Sequence, residues 1–408
     1  MPPTASFLSM MSVIWVAAAC GASPVQAEVP QATNQAISVA ATPQAESACA
    51  DPFDGEKPDF DPSYWNTDFC QHSIDYSEIS SGGPPPDGIP PIDHPQFETV
   101  VSAENWLEDR EPVIALVLGN DARSYPLQIM TWHEIVNDIV SGLPVTVTFC
   151  PLCNTALVFE RPEVNGESLS FGTSGNLRNS DLVMYDRQTE SWWQQFSGEA
   201  IVGELTGSRL TPVPATIIAW EDFKFAYPQG QVLSQDTGFD RAYGKNPYAG
   251  YDNAGSYPFL FSGEVDDQLR PMDRVVGIWL GSGNAVAYSY LRLSEERVIN
   301  DSLDELSLVV FWKAGTASAL DTTIIAEGSD IGSTGVFNAE LNGDVLNFVA
   351  NSDGTFADNL THSTWNIIGK AVEGPLAGQS LQPISHHDTF WFAWSAFVPP
   401  ETLNSPTP

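Results

Sequence analysis

Runs of apolar residues in the first half of the chain predict short strands around one helix. Residues 113–118 and 145–149 are continuous β-prone runs, and residues 156–159 form a third. Residues 130–140 carry apolar side chains at helical spacing, which predicts an amphipathic helix. The run 150–154 is therefore predicted to be a tight turn between two strands. Asn154 is expected to close it, because asparagine tolerates the left-handed conformation.

Glycine, proline and tryptophan positions recur between the middle and the end of the chain. Eight residues match eight later ones at one fixed spacing: Gly198, Ala200, Gly203, Leu205, Gly207, Leu210, Pro212 and Trp220 match Gly369, Ala371, Gly374, Leu376, Gly378, Leu381, Pro383 and Trp391. Asp186 and Trp193 likewise recur as Asp358 and Trp365. These matches predict two homologous units from an internal duplication, packed pseudo-symmetrically in an α+β, β-rich fold.

The chain is predicted to divide into seven segments. Proline-rich and polar stretches separate the two repeat units from each other and from a loop-rich N-terminal part. In order, the segments are a signal peptide 1–27, a flexible linker 28–48, a loop-rich arm 49–111, the first unit 112–228, an ordered connection 229–273, the second unit 274–400 and a tail 401–408.

The N-terminal segment predicts export to the periplasm or beyond the cell. Residues 7–19 form an apolar stretch of signal-peptide length, too short to span a bilayer. Val25-Gln26-Ala27 is a candidate cleavage site. Ala17-Ala18-Ala19-Cys20 is an alternative, a degenerate lipoprotein signal ending at residue 19 that would leave Cys20 lipidated and the protein anchored to a membrane.

Charge excludes one class of partner. The 408 residues include 52 acidic and 16 basic ones, for a net charge of −36. Such a surface repels phosphate backbones and anionic lipid headgroups, so no nucleic-acid partner is expected, and a membrane only if Cys20 is lipidated. The protein or small-molecule partner is not identified by the sequence.

Export leaves four cysteines in an oxidising compartment, where disulfides persist. Cys49 and Cys70 lie in the loop-rich arm and are predicted to form a structural disulfide. Cys150 and Cys153 stand three residues apart in the predicted turn, which is similar to the metal knuckle of rubredoxin-like and zinc-ribbon proteins.

A metal site at this turn needs further ligands, because a tetrahedral centre has four. His133, in the run Trp132-His133-Glu134, is the leading candidate for the third ligand, followed by His386 and His387. Two sulfurs and an imidazole suit zinc or copper. The site is then a carrier of the metal, or catalytic if one coordination position stays open.

Other interpretations of the same residues stay open. The two cysteines of the turn could cycle as a thiol–disulfide pair, although thioredoxin-type pairs lie at a helix N-terminus rather than between strands. They could also brace a hairpin in a binding or structural module without catalysis. His133 could equally be a buried core histidine.

Four further residues are secondary candidates. Glu134 follows the candidate histidine. Asp181, Arg187 and Arg123 have no predicted counterpart in the second unit, and the arginines could hold an anion or pair with carboxylates.

Several of these motifs together resemble a bacterial domain-of-unknown-function family, number three-one-seven-nine. They are Ser124-Tyr125-Pro126-Leu127, the run from Trp132 to Asp138, Cys150-Pro151-Leu152-Cys153-Asn154-Thr155-Ala156, the run from Asn179 to Trp193, and Phe390-Trp391-Phe392-Ala393-Trp394. The resemblance covers roughly residues 90–400 and implies an exported protein. It implies no substrate and no settled activity, so whether the protein is an enzyme stays undecided.

Overall fold

A computed structural model describes residues 49, 51–280, 283–398 and 402–404. The predicted signal peptide, Cys20 and the linker 28–48 lie outside the described residues, as does most of the tail. The described residues belong to the unit Asn34–Pro408. Among them, no helix has the length and the apolar composition needed to cross a membrane.

Among the described residues, short strands dominate, and the helices are few and at most seven residues long. The N-terminal arm contains β1 (Ile79–Ser81), β2 (Phe97–Thr99) and α1 (Val100–Ala103). The first half then continues with β3 (Pro112–Leu118), β4 (Asp121–Pro126), α2 (Leu127–His133), β5 (Ile135–Val140), β6 (Leu143–Cys150), β7 (Thr155–Glu160), β8 (Glu163–Val164), β9 (Glu167–Ser168), β10 (Phe171–Arg178), β11 (Asp181–Asp186), β12 (Trp192–Gln194), β13 (Glu199–Val202), β14 (Pro212–Val213), β15 (Ala215–Ala219), α3 (Trp220–Ala226) and β16 (Gln231–Leu233).

The second half repeats this style of short elements. It contains β17 (Arg274–Trp279), β18 (Ala285–Ser289), α4 (Tyr290–Glu296), β19 (Val298–Leu303), β20 (Leu306–Lys313), β21 (Ser333–Asn338), β22 (Glu340–Leu341), β23 (Asp344–Val345), β24 (Phe348–Ala350), β25 (Phe356–Asp358), β26 (Thr364–Trp365), β27 (Ala371–Glu373), β28 (Gln382–Pro383), β29 (His387–Phe390) and α5 (Trp391–Phe397). The described part of the chain also contains three 3-10 helices: Pro62–Tyr64, Tyr76–Glu78 and Ile325–Glu327.

Two sheets of the first half contain the hairpins β6–β7 and β10–β11. One has the strand order β14-β7-β6-β5, and the other has the order β1-β10-β11-β12-β13. Strands β6 and β7 are antiparallel neighbours in the first sheet, and β10 and β11 are antiparallel neighbours in the second. The turns of these two hairpins come from segments about 30 residues apart in the chain.

One hydrophobic core crosses between the halves of the chain. Its largest cluster joins Phe149 and Trp193 of the first half to Phe390, Trp391 and Trp394 of the second, all with no exposed surface. Burying aromatic side chains of this size contributes strongly to the stability of a fold. The two halves therefore depend on each other for their packing.

The expected helix over residues 130–140 is only half right. Helix α2 ends at His133, because Glu134 adopts a left-handed backbone angle, φ 58°, that stops it. The following residues form β5, in which Ile135 pairs with Thr148 of β6. The β-branched Ile135 and Val136 favour a strand, and pairing with a neighbouring strand outweighs the helical spacing of their side chains.

The N-terminal arm is tied down as expected, by a disulfide between Cys49 and Cys70. The rings of Phe60 and Phe69 then pack edge-on against Trp192 of β12, at centroid distances of 4.9 and 5.5 Å. The arm thus adds an aromatic cluster of its own to the outer face of a sheet.

A buried carboxyl before β3 predicts a pH-dependent stability. Glu111 is 3% exposed, and burial raises the pKa of its carboxyl to about 7, although Gln128 and the Glu108 N–H both hydrogen-bond it. Since the folded protein holds this proton more tightly than the unfolded chain, the stabilisation is complete below the ordinary pKa of glutamate. It is lost as the pH rises from the ordinary pKa of glutamate to about 7, by about 3 kcal/mol in all.

Glu111→Gln should remove this loss. Urea unfolding at pH 5 and pH 8 checks it: the variant should gain stability over the parent at pH 8 but not at pH 5. If the free energy of unfolding differed between variant and parent by the same amount at both pH values, a shifted pKa at Glu111 would be contradicted.

Candidate metal centre

The β6–β7 hairpin presents both cysteines of the turn on one side. Cys150 is the last residue of β6 and pairs with Thr155, the first residue of β7. Asn154 closes the turn with φ 54°, as its tolerance for the left-handed region predicted, and its N–H donates to the Pro151 carbonyl. The predicted strand–turn–strand arrangement of this motif is confirmed.

The β10–β11 hairpin brings a second turn to the same place. Its two turn residues, Asn179 and Ser180, both have positive φ, 50° and 65°, which is typical of a two-residue type I′ turn. The thiols of Cys150 and Cys153 donate to the Ser180 carbonyl oxygen, at 3.8 and 3.5 Å. Asp181, the next residue, begins β11.

Three metal-ligating groups converge between the two turns. The sulfurs of Cys150 and Cys153 and a carboxylate oxygen of Asp181 all lie within 4.8 Å of one another. The three residues are 2%, 0% and 0% exposed. Within the described part of the chain, no other group of three or more His, Cys, Asp or Glu residues converges in this way.

Asp181 is only half satisfied by hydrogen bonds. Its Oδ2 accepts from Gln194 Nε2 at 2.5 Å and from the Phe196 N–H at 2.9 Å, whereas the buried Oδ1 has no partner with hydrogen-bond geometry among the described residues. Burial raises the pKa of this carboxyl to about 6, against the opposing effect of those two donors and of weaker hydrogen bonding from the Cys153 and Cys150 thiols. A buried oxygen without a donor costs free energy, which a bound cation would recover.

The thiols are held in a low-dielectric environment. Burial raises the pKa of Cys150, and it raises the pKa of Cys153 well above the ordinary thiol range. Without a cation nearby, both cysteines are therefore neutral thiols near pH 7. A transition metal would reverse this, because it binds the thiolate and releases the proton.

Glu134 lies beside the cluster without joining it. It is 6% exposed, and its Oε1 accepts a long hydrogen bond of 3.4 Å from the Tyr248 hydroxyl. Burial raises its pKa to about 8, with a further contribution from the charge of Asp181. The Glu134 carboxyl is thus protonated at neutral pH.

His133 also lies outside the cluster. Its Nδ1 is 2.6 Å from the Pro90 carbonyl oxygen, and its Nε2 is 2.7 Å from the Tyr243 hydroxyl. Both ring nitrogens already have partners, and burial lowers the pKa of the imidazole. The structure thus groups Asp181, not His133, with the two cysteines.

The remaining candidates sit elsewhere and have partners of their own. His386 Nε2 lies 3.6 Å from Asp388, and His387 Nε2 lies 3.0 Å from the Phe196 carbonyl oxygen. The two candidate arginines pair with carboxylates, the second of the two roles expected for them. Arg123 forms ion pairs with Asp121 and Asp138, and Arg187 forms ion pairs with Asp87 and Asp93.

Asp181 is expected to have no counterpart in the second unit, but the short sequence run around it occurs again in the second half of the chain. Asn179-Ser180-Asp181 recurs as Asn351-Ser352-Asp353, at the spacing that separates Asp186 from Asp358. Asp353 is exposed and accepts from Thr355 instead of facing thiols. In the sequence, Asp181 stands out only as one of the polar residues of a tight turn before a strand. That pattern predicts a turn and does not identify a metal ligand.

Comparison with known families gives the limits of a domain but no activity. The chain matches the family described as protein of unknown function (DUF3179) over residues 86–402, and it belongs to that family, as its motifs suggested. No curated protein and no solved structure matches it. Both hairpins lie inside the matched region, so the cluster is part of the family's domain.

Proposed function

We propose that this protein binds one transition-metal ion through Cys150, Cys153 and Asp181. Zinc is the expected ion. The observation that carries the proposal is the convergence of three buried ligand groups within 4.8 Å. One of them is a carboxylate whose Oδ1 has no hydrogen-bond partner in the described part of the chain. Soft sulfur ligands and a carboxylate are both established zinc ligands.

The donor set favours zinc over copper. Two thiolates attract both zinc and copper(I), but a carboxylate is a hard ligand that suits copper(I) poorly. Two thiolates and a carboxylate also carry three negative charges when ionised, which a divalent ion offsets better than a monovalent one. Copper is the alternative ion, and the metal analysis has to distinguish it from zinc.

Export, and hence a metal site outside the cytoplasm, is part of the proposal. It is supported by the disulfide between Cys49 and Cys70, since such bonds persist in oxidising compartments. In this setting the metal also protects the two thiols of the turn from oxidation, because a coordinated thiolate is not free to form a disulfide. A membrane association would require lipidation of Cys20.

The thiol–disulfide hypothesis receives less support. A cycling pair needs a thiolate, and catalytic pairs have lowered pKa values. Burial raises the pKa of both thiols here. The pair is therefore better suited to hold a cation than to attack a disulfide.

We also infer that the two halves arose by duplication and that only the first kept a metal site. The same strand–strand–helix–strand–strand order runs through β3 to β6 and β17 to β20. Asp186 accepts from Trp193 Nε1 at 2.9 Å, and Asp358 accepts from Trp365 Nε1 at 3.1 Å. Lys313 takes the place of Cys150 in the matching strand and pairs with Asp222.

Metal content tests the proposed function. The full chain, purified under reducing conditions and analysed by mass spectrometry of its metals, should contain about one equivalent of zinc. Cys150→Ser and Cys153→Ser should each remove it. The double variant Cys49→Ser/Cys70→Ser also removes two sulfurs, but away from the cluster, and should keep the metal. Protein that contains no metal and takes up none would overturn the proposal.

A further inference from the structure

Three side chains leave one position of a tetrahedral metal site unassigned, and whether it is open decides what the metal can do. Resting on the proposed function, we propose that the main-chain carbonyl oxygen of Ser180 is the fourth ligand. The centre is then closed by Cys150, Cys153, Asp181 and the Ser180 carbonyl, with no position for water or substrate.

Distances around the Ser180 carbonyl match a ligand position. Its oxygen lies 3.5 Å from the Cys153 sulfur and 3.8 Å from the Cys150 sulfur. In tetrahedral zinc sites with Zn–S near 2.3 Å and Zn–O near 2.1 Å, a sulfur and an oxygen ligand lie about 3.6 Å apart. A metal ion placed between the sulfurs and Asp181 therefore has this oxygen at ligand distance without a large movement of the backbone.

Among the described residues, no strong hydrogen-bond donor contacts the Ser180 carbonyl. In a two-residue hairpin, the second turn residue does not contribute its carbonyl to the strand ladder, so the oxygen needs another partner. Ser180 is fully buried, and the donors to its carbonyl are the two thiols, which are weak. Once the cysteines become thiolates, these donors are lost, and only a cation can satisfy an oxygen that faces two negative sulfurs.

Contacts on both sides hold the peptide in this orientation. The left-handed conformation of Asn179 and Ser180 directs the carbonyl toward the β6–β7 turn. The Ser180 hydroxyl donates to the Phe259 carbonyl at 2.5 Å, and the Phe259 N–H donates to the Tyr251 hydroxyl at 3.4 Å. The connection 229–273 therefore holds the Ser180 side chain through the backbone of Phe259.

A closed centre assigns the metal a structural role. The cysteines belong to the hairpin of the sheet β14-β7-β6-β5, and Ser180 and Asp181 belong to the hairpin of the sheet β1-β10-β11-β12-β13. The ion then cross-links two sheets, in the manner of structural zinc sites, and is not a Lewis acid that activates water. Glu134 beside it has no metal-bound water to act on.

Cobalt(II) as the bound probe tests the closed centre. The cobalt-loaded full chain should show thiolate-to-cobalt charge transfer in the near ultraviolet and the intense visible bands of a tetrahedral site. Adding millimolar azide or imidazole should leave both spectra unchanged. A new band or a shift on addition would overturn the closed centre while leaving metal binding intact, whereas no cobalt uptake would overturn the proposed function itself.

Two variants of Ser180 isolate the carbonyl. Ser180→Gly and Ser180→Val both remove the hydroxyl bond to Phe259, but glycine accepts the left-handed angle and valine opposes it. The glycine variant should keep the cobalt spectrum, and the valine variant should show shifted visible bands and a response to azide. Unchanged spectra in a folded valine variant would exclude the carbonyl as a ligand; if that variant does not fold, the azide response of the parent decides.

Discussion

Asp181→Asn is expected to lower the affinity for zinc by at least about 100-fold, more than the loss of a typical outer-shell partner. The substitution preserves the shape of the side chain. The amide oxygen can still accept from Gln194 and the Phe196 N–H, but the negative charge and the free Oδ1 lone pairs are lost. Competition with a chromophoric zinc chelator measures the dissociation constant.

The metal-free variant should be as stable as the parent or more so near pH 7. The parent has to bury a carboxyl whose pKa burial raises to about 6, and that carboxyl is ionised at neutral pH. Asparagine removes this cost. A large loss of stability without metal would mean that Asp181 serves the fold and not the metal.

Asp353→Asn provides a matched control for this prediction. Asp353 stands in the same Asn-Ser-Asp sequence, in the second half of the chain, but its side chain is exposed. The control should bind zinc like the parent. Equal losses of affinity in the two variants would point to the overall charge of the protein, and would contradict direct coordination by Asp181.

Gly277→Ala is expected to destabilise the fold by more than about 3 kcal/mol, a large value for the addition of one methyl group. A β-carbon at this position would lie 1.9 Å from Cζ3 and 2.2 Å from Cε3 of Trp394. Trp394 is fully buried and cannot move aside without disturbing the core shared by both halves. Urea unfolding followed by tryptophan fluorescence gives the change in free energy.

Gly255→Ala is the control for the glycine prediction. At this position the nearest atom to an added β-carbon is Asn253 Oδ1 at 3.5 Å, an ordinary contact. Its effect should stay within about 0.5 kcal/mol, as for most surface changes. Similar losses in the two variants would show that the packing against Trp394 is not the cause.

Gly277→Ala should also weaken metal binding, because β17 holds β29 and β29 holds the cysteine turn. Gly277 pairs with His387 of β29. On the same strand, the Phe390 N–H and the Thr389 hydroxyl both donate to the Cys153 carbonyl, at 3.0 and 2.9 Å. The orientation of this turn therefore depends on residues more than 230 positions away in the chain.

The composition and the local sequence patterns determined the strands around the cysteine turn, the conformation of that turn and the disulfide of the N-terminal arm. β-Branched runs placed the strands on both sides of the cysteine turn, and the even number of cysteines in a loop-rich arm indicated the disulfide that the structure contains. Turn chemistry identified Asn154 as a left-handed residue. These features depend on neighbouring residues and on the short-range conformational preferences of the backbone, which a sequence displays directly.

The tertiary structure alone decided which groups meet. Spacing suggested His133 as the partner of the cysteines, yet its nitrogens contact Pro90 and Tyr243, while Asp181 reaches the sulfurs from another sheet. Likewise, pairing with β6 turned the helical pattern after residue 134 into a strand. Contacts between distant segments depend on how sheets pack and which strands pair, and no local preference of the chain encodes that geometry.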